Sequence, residues 1–133
     1  MVMTTTRSTS GPLETASVLL PPDAGRGLQF GPGEHIVWKV TGAPTAELFD
    51  FCELTAAPQA GPPQHIHALH DEAFYIREGA FRMQGGTQRQ VATAGAFVFI
   101  ARGTVHAWQN IGSAPGHLLT LFTPGEWRAI LRG

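Results

Sequence analysis

Three histidines and two acids fall within eight residues: His65, His67, His70, Asp71 and Glu72, in the stretch HIHALHDE. Polar groups this dense are costly to bury unless something binds them, and an apolar run, AFYI, follows at once. In an extended segment residues i and i+2 point to one side. His65 and His67 therefore share a face, with Ile66 turned away. A short turn, ALHD, returns the chain, and Glu72 opens the next strand toward the same centre. A fourth donor, His106, follows ARGT and begins another strand. Three imidazole nitrogens and one carboxylate oxygen make a mixed N/O site suited to one divalent transition metal: iron, manganese, nickel, copper, cobalt or zinc. The single cysteine, Cys52, argues against a thiolate zinc site and reads as a small buried apolar residue.

The elements that must hold these donors are short strands. Gly (16) and Pro (10) are frequent in the 133 residues, which favours many turns. Between them, eight segments rich in aromatic and β-branched residues read as strands: 35–40, 46–54, 73–78, 80–84, 88–92, 96–100, 106–110 and 117–122. Residues 21–27 and 31–34 read as turns, and QGGT at 84–87 as a hairpin. Eight evenly spaced strands suggest a sandwich or small barrel. Residues 1–12, rich in Thr and Ser, read as a flexible arm before one domain at 13–133. PGEWRAILRG, at 124–133, is the one candidate for a short helical turn.

Strand parity places Phe74 and Ile76 on the face of Glu72, Trp108 and Asn110 on that of His106, and Val98 with Ile100. Phe74, Ile76, Val98, Ile100 and Trp108 either line a ligand pocket or fill the core. His70 reads as an exposed loop histidine and Asp71 as a turn residue; His35 and His117 read as strand histidines at a surface or interface.

The formal net charge is −1 and no basic run exists, which disfavours nucleic acid as a partner. The opening residues lack a signal-peptide core, and no apolar stretch reaches the ~18 residues that span a bilayer. A cytoplasmic location is the expectation. The apolar strand GEHIVWKV, with Trp38, beside a loose arm suggests a surface for pairing as a homodimer.

The chain resembles the cupin superfamily. That family's first motif is a glycine, H-x-H, three or four residues, Glu, six residues and Gly; here His65, His67, Glu72 and Gly79 keep that spacing. Its second motif runs Gly, five residues, Pro-x-Gly, two residues, His, three residues, Asn; here Gly95, Gly103, His106 and Asn110 match it. Ala101 stands at the proline position, and Gly61 precedes His65 by a shorter gap than the family's usual one; neither supplies a ligand. The resemblance implies an all-β double-stranded β-helix, a jelly-roll barrel with metal near its mouth. It also implies a homodimer, because small cupins commonly pair. Small cupins with this motif pair are similar to the quercetin dioxygenase type, in which Glu72 would be both ligand and catalytic base. Three functional classes follow: a metal-dependent dioxygenase acting on a small apolar, aromatic or enol-bearing compound; an isomerase, cyclase or lyase using the metal as Lewis acid; and a non-catalytic small-molecule binder.

Overall fold

The computed structural model describes residues 15–125. The expected N-terminal arm at 1–12 and most of the expected C-terminal helical turn lie outside them. Among the described residues the chain forms nine strands: β1 (Arg26–Gln29), β2 (Glu34–Val40), β3 (Asp50–Ala56), β4 (Asp71–Glu78), β5 (Ala80–Gly85), β6 (Gln88–Thr93), β7 (Phe97–Ile100), β8 (His106–Asn110) and β9 (Gly116–Thr123). They assemble into a six-stranded sheet, ordered β1-β2-β3-β9-β4-β7, and a three-stranded sheet, ordered β6-β5-β8. Every pairing is antiparallel. The architecture is the all-β jelly roll expected from the strand pattern.

Alternation of side chains explains which face each strand buries. β9 turns Gly116, Leu118, Thr120 and Phe122 inward, and β3 turns Asp50, Cys52, Leu54 and Ala56 inward. Phe81, Met83 and Trp108 come from the smaller sheet to the same core, where they meet Ile36, Phe74, Ile76 and Leu118. Asn110, fully buried, ends β8. Its side-chain amide donates to the carbonyls of Ala56 and Ala114, and its amide oxygen accepts the Gly112 N–H. One side chain thus joins β8, β3 and the β8–β9 turn.

Three sequence expectations need correction. β1 was not expected: it begins in the 21–27 segment read as turn and runs on through Leu28 and Gln29, which carried no reading, because Gly27 hides the strand pattern and pairing with β2 supplies the ladder. The strand expected from residue 46 begins at Asp50: a 3-10 turn at Ala43–Thr45, and left-handed backbone at Ala46 and Glu47, occupy the preceding residues. Trp38 is buried, not offered to a partner, because Glu34, Ile36 and Trp38 share the inward face of β2. Exposed apolar side chains include Tyr75, Phe97 and Phe99, on paired strands β4 and β7.

Candidate metal centre

The His65–His67 segment is not a regular strand. It is a loop that β8 holds at both ends. Near its start the Gln59 N–H donates to Asn110 O, and Asn110 N–H donates to Ala60 O. At its end His65 and His106 exchange both backbone hydrogen bonds, at 3.0 and 2.9 Å. Gly61 permits the close passage between them: a Cβ there would collide with the Trp108 carbonyl oxygen. His67 is pinned one step further on, where its carbonyl accepts the Gly103 N–H at 2.9 Å. Both loop histidines are therefore tied to the segment that delivers His106.

Glu72 arrives from β4, next to a second clamp. The Asp71 carboxylate accepts three hydrogen bonds from Arg102: its backbone N–H at 2.8 Å, Nε at 3.2 Å and Nη2 at 3.1 Å. That side-chain pair holds the Asp71 carboxyl below its usual range. Asp71, read from the sequence as a turn residue, instead begins β4 and fastens it to the β7–β8 turn.

The four donors meet. One ligand atom each from His65, His67, Glu72 and His106 lies within 4.8 Å of the others. Glu72 Oε2 is 3.4 Å from His106 Nε2 and 3.7 Å from His67 Nε2. At these separations the contacts are electrostatic, and among the described residues the buried Glu72 Oε2 and His106 Nε2 have no hydrogen-bond partner. Buried polar atoms without partners demand an explanation, and a cation among them supplies one. The far ring nitrogens agree. His65 Nδ1 lies 2.8 Å from Pro63 O and His106 Nδ1 lies 2.9 Å from Thr104 O. A carbonyl only accepts, so each Nδ1 carries the proton and each Nε2 lone pair is free for a metal. His67 Nδ1 has no such partner among the described residues. Burial lowers the His67 pKa against the pull of Glu72. Burial also presses on His106, but the Glu72 carboxylate and the Thr104 carbonyl outweigh it and hold that ring above its ordinary value.

A cavity of about 380 Å³ opens onto this cluster. His65, His67 and Glu72 line it together with Phe30, Glu34, Ile36, Trp38, Cys52, Leu54, Trp108 and Phe122. A larger hollow of about 660 Å³, lined by Val18, Leu20, Lys39 and Phe51 among others, holds no comparable group of donors among the described residues. Of the five residues expected around a ligand, Trp108 lines the cavity. Phe74 and Ile76 keep the parity of Glu72 but lie fully buried in the core. Ile100, opposite Glu72 on β7, is buried too; Val98 packs against the core from the same strand. The cavity wall comes instead from β2, β3 and the end of β9. Parity along β2 carried that signal, because Glu34, Ile36 and Trp38 alternate with His35 and Val37. Burial raises the pKa of the Cys52 thiol, which stays neutral. His70, expected to be exposed, is buried beside the site. His35 is exposed, whereas His117 is half-buried on β9, where it meets Thr55 Oγ1 at 3.2 Å and Glu78 Oε2 at 3.4 Å.

Comparison with known proteins agrees with this geometry. The family model described as "Cupin domain" matches residues 52–122, more than half of the chain and a span that includes all four donors. No curated protein sequence matches. Among solved structures, KdgF from Halomonas sp. superposes with a TM-score of 0.73 at 17% identity, covering 84% of this chain and 96% of that one. An RmlC-like cupin from Shewanella frigidimarina NCIMB 400 gives 0.73 at 18% identity, covering 86% and 96%. The polyketide cyclase RemF from Streptomyces resistomycificus gives 0.69 at 17% identity, covering 81% and 80%. At these identities the likeness is one of fold, and it is the same barrel in each. With the barrel shared and the family model matched over most of its strands, the chain belongs to the cupin domain family.

Proposed function

We propose that this cupin binds one divalent transition metal through His65, His67, Glu72 and His106 and acts as a dioxygenase-type enzyme on a small, largely apolar compound bearing an enol or phenol. The observation that carries the reading is the convergence of three imidazoles and one carboxylate on a cavity whose walls are otherwise mostly apolar. A metal held there supplies Lewis acidity and, if redox-active, oxygen chemistry. The remaining contributions belong to the chain. Glu72 Oε2, which no hydrogen bond occupies, can accept the proton of the ligand's hydroxyl. Trp38, Trp108 and Phe122 offer flat apolar walls suited to a planar molecule and exclude water from it. The Nδ1 hydrogen bonds of His65 and His106 fix their rings before any ligand enters.

A second reading is supported by the structural likeness to RemF, a polyketide cyclase. On the same four residues, Lewis-acid activation of a carbonyl without oxygen would give a cyclase or isomerase. Metal-loaded protein presented with flavonols, diketones and catechols separates the readings. Oxygen consumption coupled to loss of one compound supports the dioxygenase. Conversion under anaerobic conditions replaces it with the cyclase or isomerase, and binding without conversion makes the protein a carrier or sensor.

A further inference from the structure

We propose that Glu34 is the second polar anchor of the cavity: a carboxyl from β2, an element that contributes no metal donor, which recognises a hydroxyl or carbonyl oxygen at the distal end of the bound molecule. The inference rests on the reading that this cavity holds a small molecule beside a metal.

The inward face of β2 reads Glu34, Ile36, Trp38. An acid on that face breaks an otherwise apolar pattern. Glu34 is only 5% exposed, and a carboxyl taken out of water is costly unless a partner replaces the water. Among the described residues no hydrogen bond or ion pair holds this carboxyl. It nonetheless lines the cavity that the metal donors line. The preceding turn is shaped around it. Gly31 adopts φ 72°, and a Cβ there would stand 2.7 Å from Glu34 Oε2. The Phe30 N–H donates to Glu34 O at 3.0 Å and closes the turn. The absence of a side chain at Gly31 thus leaves room for the carboxyl.

Burial also sets the chemistry that Glu34 offers. It moves the pKa from 4.5 to about 7, so near neutrality much of the group is uncharged. A neutral carboxyl presents one O–H donor and one carbonyl acceptor, which complements a phenol, an alcohol or a ketone and disfavours an anion. The other titratable groups on the lining are Cys52, His65, His67 and Glu72, and three of these are metal donors. A mostly apolar pocket takes its specificity from the few polar groups in it. The substrate class that follows is a planar, largely apolar molecule with two separate oxygen functions, one for the metal donors and one for Glu34.

Two flavonols test this. Quercetin and 3-hydroxyflavone share the same hydroxy-ketone, but only quercetin carries further hydroxyls. Binding of each is measured by fluorescence titration to metal-loaded wild type, Glu34→Leu and Glu34→Gln, with metal content checked by elemental analysis. Leu fills the space without a polar atom, and Gln keeps both a donor and an acceptor. All three proteins should hold equal metal. Glu34→Leu should weaken quercetin about tenfold, Glu34→Gln should return it to within about threefold, and 3-hydroxyflavone should bind all three alike. Equal quercetin affinity in wild type and Glu34→Leu overturns the proposal. So does an equal loss for both flavonols, which would mark a structural role. Wild type that holds no metal, or holds metal and binds neither flavonol, overturns the underlying reading and this inference with it.

Discussion

Among the site residues, the histidines and Glu34 solve opposite problems. His65 and His106 spend one ring nitrogen on a backbone carbonyl and so present the other unprotonated. Glu34 has no side-chain partner among the described residues and answers burial by holding its proton. A folded-state pKa of about 7 against 4.5 means that the contribution of Glu34 to stability is fully present below about pH 4.5. It is lost as pH rises through 7, when a buried carboxyl must ionise. At most roughly 3 kcal/mol is involved. Glu34→Gln, which cannot ionise, should therefore gain stability relative to wild type between pH 5 and pH 8, by about 2 kcal/mol. Urea unfolding at the two pH values measures it. An unchanged difference would mean that Glu34 is ionised, or hydrated, at neutral pH.

At the scale of elements, the site depends on the loop before His65 running close along β8. Gly61 is the point of nearest approach, with the Trp108 carbonyl where a side chain would begin. Gly61→Ala should push the loop away, destabilise the protein by about 1–3 kcal/mol and lower metal occupancy through His65. Unfolding and elemental analysis would both register it; full stability with full occupancy would contradict the account. The grouping of His65, His67, Glu72 and His106 was legible in the sequence, because their spacing is a local property of two short segments. So were most strands, whose alternation is strong. Not legible was the contribution of distant strands. Phe74 and Ile76 have the right parity, but position along β4 puts them in the core; Phe122 and Trp38 reach the cavity from β9 and β2. Parity gives the face of a strand, whereas depth in a barrel depends on stagger between strands. The Asp71–Arg102 clamp was hidden for a related reason, since it spans 31 residues and surfaces only when β4 and β7 pair. His70 looked exposed because its neighbours Ala68 and Leu69 form a turn, yet the turn tucks its ring inside.

For the whole molecule, the outer face of the six-stranded sheet carries Tyr75, Phe97 and Phe99, paired across β4 and β7 and exposed. Adjacent aromatic side chains on an open sheet face are an association surface, and we propose that the protein is a homodimer through it. Light scattering at micromolar concentration should give a dimer mass, and the Phe97→Asp/Phe99→Asp variant should give a monomer. A monomeric wild type would contradict that proposal and leave the metal centre untouched.

We propose that the barrel organises one metal centre from His65, His67, Glu72 and His106. The most direct measurement is elemental analysis of the protein purified without added metal, beside the His67→Ala/His106→Ala variant with its β-sheet content verified by circular dichroism. Wild type should hold close to one divalent transition metal per chain, and the folded variant should lose most of it. A folded double variant that keeps stoichiometric metal would contradict it.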